Sequence, residues 1–288
     1  MLSFTNNHER DLHITFKELG HVYTIRGQTD FISITTFVKS LFEEFDADFM
    51  VAKILKSDSM RNVDYKYYGL THGQIIDMWA ITAKDASSKG TALHLYIENY
   101  YNGVCVIQDT PELKQFHVFV ADYAHLRPYR TEWMIFYEKY KLCGTIDMVF
   151  ENADTGSLEI YDWKRVREIK YTSYQDKTSI VLPTIMDSNY WHYAIQLNMY
   201  RRILQDQYDK PITALYLVVF HPEQKAYDRI EVPMMDKEID QLLHWRMQSF
   251  QEGVYETNTN TNTKTKTKTK TKTKSGADLQ SKGWLGGN

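Results

Sequence analysis

Apolar positions along the chain change period several times, and each change marks an element. Between His21 and Thr35 they alternate, as His21-Val-Tyr-Thr-Ile-Arg26 and then Phe31-Ile-Ser33-Ile-Thr35, with Gly27 between the two runs. That pattern predicts a short β-hairpin over 21–38. The spacing then becomes helical from about Thr36 to Ala86. A further helix is predicted over 87–102, with Ser87 or Ser88 as N-cap and Gly103 where a C′ residue belongs. Period-two runs over about 131–138, 141–150 and 158–165 read as three strands. A long helix over about 189–207, an apolar strand from Ile212 to Phe220 and an amphipathic helix from Asp236 to about Gln251 complete the pattern. From residue 87 the order is α-β-β-β-α-β. It predicts a single α/β domain in which a mixed β-sheet is flanked by helices, preceded by the N-terminal hairpin and helical additions.

The pattern ends at Glu256. Residues 257–288 repeat Thr-Asn and then Thr-Lys before a Gly/Ser/Lys-rich end, which has too little apolar surface to order itself. This divides the chain into a folded domain, 1–256, and a low-complexity tail expected to be disordered. The tail holds seven lysines and one aspartate, so removing its charge takes the net −3 of the chain to about −9 for the domain. A nucleic-acid partner would therefore meet a local groove, not a general basic field.

Two cysteines, Cys105 and Cys143, exclude a disulfide framework and any four-cysteine zinc or iron–sulfur site. Asn6 to Asp11 interrupt any signal-like apolar run, and no stretch reaches the roughly 18 apolar residues of a spanning helix. The expectation is a soluble intracellular protein with no membrane association. No Gly-x-x-x-x-Gly-Lys-Ser/Thr loop occurs, so no ATP site is expected.

The candidate chemistry lies on the three central strands. Glu132, Asp147 and Asp162 are each 15 residues apart. Hairpins turning symmetrically about Lys139-Tyr140 and about Asp154-Thr155 would pair Glu132 with Asp147 and Asp147 with Asp162. Directly paired residues share a face with Cβ atoms roughly 4.5–5.5 Å apart. Lys164, two residues from Asp162, faces the same way. A one-residue slip, through a bulge at Gly156, would move Asp147 to the other face. Carboxylates so clustered need a cation, and oxygen ligands favour Mg²⁺ or Mn²⁺. A lysine beside such a metal can position or activate water and steady phosphate charge.

Gly144-Thr-Ile-Asp147, a short hairpin, and Asp162-Trp163-Lys164 closely resemble the PD-(D/E)XK nuclease superfamily, most of all its RecB-like branch with mitochondrial and phage or viral DNA exonucleases. Asp147 matches the first motif acid, and Asp162 and Lys164 the D-x-K. Gly90-Thr-Ala-Leu-His94 resembles the branch's first-helix motif, and Gln196-Leu-Asn-Met-Tyr200 its Q-x-x-x-Y motif. The resemblance spans about 87–220. It implies a restriction-endonuclease-like core with metal held by His94, Asp147, Asp162 and the Trp163 carbonyl. Asp147, Asp162 and Lys164 would be catalytic, while Glu132, a candidate from its spacing, could assist catalysis, bind metal, orient a water or merely flank the site. Gln196, Tyr200, Lys170, Ser33 and Thr35 would contact nucleic acid, with Arg165 and Arg167 as further phosphate candidates. The implied activity is Mg²⁺- or Mn²⁺-dependent hydrolysis of DNA, single-stranded or end-containing duplex, by an exonuclease of recombination, repair or replication. The rivals are an endonuclease with the same site and a catalytically inactive binding module. Arg165 departs from the Thr that often follows D-x-K. The remaining histidines show no paired spacing and read as structural or surface.

Overall fold

The computed structural model describes residues 1–251, so the tail expected to be disordered lies outside the described residues. In chain order the elements are α1 Leu2–Thr5, β1 Ile14–Lys17, β2 Val22–Ile25, β3 Ile32–Ser33, α2 Ile34–Lys39, α3 Ala47–Leu55, α4 His72–Tyr101, α5 Pro111–Asp122, β4 Leu126–Tyr137, β5 Leu142–Asn152, β6 Leu158–Lys164, α6 Asn189–Tyr208, β7 Ile212–Val219, β8 Asp228–Glu231 and α7 Asp236–Gln251. The main sheet is mixed. β5 pairs antiparallel with β4 and β6, β7 runs parallel to β6, and β8 pairs antiparallel with β7. The parallel step from β6 to β7 is carried over by α6, as a parallel crossover requires.

Helices bury both faces of the sheet. Phe37 of α2, Leu197 and Ile203 of α6, and Leu242 of α7 pack with Trp133, Ile146 and Leu217 on one face. Leu93 and Ile97 of α4 and Phe116 and Phe119 of α5 pack with Phe150, Trp163 and Val218 on the other. This is the α/β arrangement of a helix-flanked mixed sheet that the pattern predicted. Among the described residues no helix is long and apolar enough to cross a membrane.

Three local expectations are corrected. The hairpin pairs Ile14–Lys17 with Val22–Ile25, not 21–26 with 31–35, because Ile14 and Ile25 face each other and are both buried. Gly20, at φ +89°, sits in its turn. Ile32 and Ser33 instead join the main sheet, parallel to Leu142 and Cys143. Second, α4 does not begin at Ser87 or Ser88. Thr71 caps it, its hydroxyl accepting from the Gln74 N–H while the Gln74 side chain accepts from the Thr71 N–H. The helix then runs 30 residues to Tyr101, with Asn102 as its C-cap and Gly103 at φ +73° just beyond. Third, α5 lies between the helix and strands that were expected to be adjacent, and it supplies much of the second core.

Candidate metal centre and its cleft

β5 has two edges. β4 occupies one along its whole length, so β3 and β6 must share the other, β3 at Leu142 and Cys143 and β6 at Met148 to Glu151. Residues 144–147 lie in the gap, unpaired on that side. The last β5–β6 pair is Met148↔Tyr161. The next by count is Asp147 with Asp162, the register expected for a turn about Asp154-Thr155, so the slip at Gly156 does not occur. Here the strands part, and the Trp163 N–H donates to Asp147 Oδ2 at 2.9 Å instead of to a strand carbonyl.

On the other side, Thr131↔Met148 and Trp133↔Ile146 place Glu132 opposite Asp147. Glu132 has φ +44°, left-handed backbone that costs a non-glycine residue about 1–2 kcal/mol. The side-chain phase of β5 changes at the same level. Leu142 and Ile146 face the core shared with α6, whereas Met148 and Phe150, of the same parity, face α4 and α5. The phase break lets one short stretch of sheet offer polar groups towards both helical layers.

From α4, His94 reaches this point. Its Nε2 lies 2.9 Å from the Trp163 carbonyl oxygen, which only accepts, so Nε2 carries the proton. Nδ1 then faces the acids, 3.6 Å from Asp147 Oδ2 and 4.0 Å from Glu132 Oε1. One ligand atom from each of His94, Glu132 and Asp147 lies within 4.8 Å of the others. An imidazole fixed through its second nitrogen and facing two carboxylates is a donor set suited to a divalent cation. Burial, then the charges of Asp147, Glu98 and Asp162, push Glu132 up to about 9. A cation relieves that repulsion.

Asp162 stands apart from this group. It is 1% exposed, its Oδ2 is 2.5 Å from Lys164 Nζ, and its Oδ1 accepts from Gln196 Nε2 at 3.3 Å. Burial pushes Asp162 up to about 6 against the pull of Lys164. For Lys164 burial works downward, but the charges of Asp162 and Asp147 outweigh it and hold the ammonium above its ordinary value. Of the expected ligands, His94 and Asp147 come together with Glu132, while the Trp163 carbonyl accepts from His94 and Asp162 pairs with Lys164.

α6 closes the fork from the first face. Gln196 Nε2 also donates to the Tyr200 hydroxyl at 3.2 Å. The Tyr200 ring lies against Gly144, where an added Cβ would stand 2.7 Å from Tyr200 Cε1. Gly144→Ala is therefore expected to displace the ring, destabilise the fold by about 1–3 kcal/mol and disturb Gln196 with it. Urea unfolding of the variant checks this.

A cleft of about 580 Å³ opens over the site, lined by Ser33, Thr35, Lys39, Lys164, Gln196 and Tyr200 among others. Ser33 caps α2, its Oγ accepting from the Thr36 N–H and lying 2.8 Å from Thr35 Oγ1. Lys170 does not line this cleft. Its ammonium is exposed, 4.0 Å from Glu168, while its N–H donates to Asn189 Oδ1. Nor is Arg165 free for phosphate, because Glu112 of α5 holds it at 2.6 Å with both side chains about nine-tenths buried. Arg167 pairs with Glu223 at the surface.

Tyr193, which the sequence does not single out, lies with its ring 4.6 Å from Lys164 Nζ, and His192, expected to be structural or surface, lines the cleft and bonds Asp187 at 2.9 Å. They lie three and four residues before Gln196, one turn upstream on α6.

No protein-family profile matches the chain, and no curated protein matches it. Among solved structures, one described as the crystal structure of SSO0001 aligns over 77% of this chain and 77% of its own, at 14% identity and a TM-score of 0.31. A likeness of that size carries no argument, so the functional reading stands on the site.

Proposed function

We propose that this chain is a divalent-metal-dependent deoxyribonuclease built on a restriction-endonuclease-like core, cleaving DNA phosphodiesters from strand ends. The observation that carries the reading is the convergence of His94, Glu132 and Asp147 within 4.8 Å, beside the Lys164–Asp162 pair, with His94, Asp147 and Lys164 lining an open cleft. The sheet order supports it, since it sets these groups at the fork between two strands.

His94, Glu132 and Asp147 would hold Mg²⁺ or Mn²⁺, with Asp162 close by. The imidazole makes Mn²⁺ the better match. Such an ion supplies charge to polarise a phosphoryl oxygen and lowers the pKa of bound water. The chain's own groups do the rest. Paired with Asp162, Lys164 is held as a cation, so its part is to donate hydrogen bonds to the phosphate oxygens on which charge grows. His94 is kept in one tautomer by the Trp163 carbonyl, which fixes the nitrogen facing the acids. Gln196 restrains Asp162, and so the position of the lysine. Hydrolysis joins a water oxygen to phosphorus, breaks one P–O ester bond and leaves the proton on the departing oxygen.

The test is to incubate the purified chain with end-labelled linear DNA and with a covalently closed circle, in Mn²⁺, in Mg²⁺ and in EDTA. Cleavage of the linear strand alone, abolished by EDTA, is expected. Cutting of the circle would make the enzyme an endonuclease, and no metal-dependent cutting of either would remove the reading.

A further inference from the structure

Beside the cleft over Lys164 lies a second opening of about 830 Å³, lined by Phe16, Glu18, His21, Leu95, Glu98 and Met134 among others. The two meet at His21, His94 and Thr145, which line both. Their chemistry differs. The first holds Lys39 and Lys164 with the hydroxyls of Ser33 and Thr35. The second is lined by three carboxylates, Glu18, Glu98 and Glu132, among the described residues by no lysine or arginine, and by apolar and aromatic side chains.

The aromatic wall comes from the β1–β2 hairpin. Phe16 is 37% exposed and packs edge-on to His21 at 4.9 Å and against Tyr23 at 4.6 Å. The Tyr23 hydroxyl lies 2.9 Å from Thr145 Oγ1, two residues from Asp147. The hairpin is fixed from beneath, where Ile14 and Ile25 are buried with Phe31 and Phe136. Phe16 is thus an aromatic side chain on a hairpin anchored by buried residues, lining the same opening as His94 and Glu132 of the candidate metal centre.

We propose that Phe16, backed by His21, stacks the nucleobase next to the scissile phosphate, and that the substrate is single-stranded at that point. This rests on the nuclease reading of the same site. Glu132 belongs to the candidate metal centre, which leaves Glu18 and Glu98 to disfavour phosphates in the second opening. Lys39 and Lys164 attract them in the first, so the backbone follows the first cleft. The uncharged base is left for the second. A base inside a duplex is already stacked on its neighbours and cannot turn onto the phenyl ring, whereas every base of a single strand offers a face at about tenfold or more in affinity.

The experiment measures fluorescence anisotropy of a labelled thymidylate dodecamer and of an abasic deoxyribose-phosphate strand of the same length, both in Ca²⁺ buffer with the full chain. Wild type is expected to prefer the thymidylate strand by about tenfold. Phe16→Ala should erase that preference without changing abasic binding, and Phe16→Trp should keep it. His21→Asn, chosen because asparagine tolerates the φ of +53° at that position, should reduce the preference in part. No preference in wild type, or full preference in Phe16→Ala, overturns the stacking site. A base preference lost in Phe16→Ala, with no cleavage of the same strand in Mg²⁺ or Mn²⁺, keeps the stacking site and removes the nuclease.

Discussion

Lys164→Met is expected to lower the single-turnover rate of strand cleavage by about 100- to 1,000-fold, the cost of losing one donor aimed at developing charge. The prediction needs a control, because Lys164 has a second duty. Its ammonium is the counter-ion of Asp162, which is 1% exposed, and removing it strands a buried carboxylate. The single variant should therefore be less stable as well as slower. Asp162→Asn combined with Lys164→Met removes both charges together, and the two residues are in contact, so their effects will not add. The double variant should recover most of the lost stability and none of the lost rate. Recovery of both would make Lys164 a structural partner of Asp162 and nothing more. Mn²⁺ affinity should change little in Lys164→Met, since the ligand atoms of His94, Glu132 and Asp147 remain in place.

Arg165→Ala is expected to destabilise the fold by about 3 kcal/mol, at the lower end of the range for breaking a buried ion pair. The lower end applies because Glu112 keeps other support. It lies in the first turn of α5, after the Thr110 cap and Pro111, where helix N–H groups and the dipole favour a negative charge. Burial raises the Glu112 pKa, but its backbone hydrogen bond and Arg165 outweigh burial and hold it below the ordinary value. A depressed carboxylate contributes stability that is complete above its unfolded value and lost as pH falls through the folded one. The difference between wild type and Arg165→Ala should therefore be constant near neutrality and shrink below about pH 4. Urea unfolding at neutral and acid pH checks both parts. Because Arg165 directly follows Lys164, the variant should also slow cleavage in whatever fraction stays folded. An unchanged stability would mean that β6 is not pinned to α5 through this pair.

The centre of the fold was legible because strong periodicity and register arithmetic act there together. The 15-residue spacing of Glu132, Asp147 and Asp162 gave the correct register of both hairpins, with Glu132 opposite Asp147 and Asp162 one step beyond the last β5–β6 pair. Elements at the margins were harder to read. Ile14 to Lys17 make a strand of only four residues, and its partner was assigned to the next apolar run, because the burial of Ile14 against Ile25 is a tertiary fact. Ser87 and Ser88 resemble caps, but a serine inside a helix turns its side chain aside, and the true cap at Thr71 lies far upstream. Within the site, sequence spacing could say which acids share a level. It could not say that Glu132 would adopt left-handed backbone or that Lys164 would claim Asp162. Phe16 escaped notice because nothing local separates a core phenylalanine from one at the edge of a cleft.

His94, Glu132 and Asp147 are expected to bind one divalent ion, and calorimetric titration of Mn²⁺ into the wild-type chain, His94→Ala and Asp147→Asn tests this most directly. One site is predicted in the wild type, weakened by about 100-fold or more in each variant, since even indirect partners of a metal ligand are worth 10- to 100-fold. Equal Mn²⁺ binding by all three proteins, or none by the wild type, would contradict it.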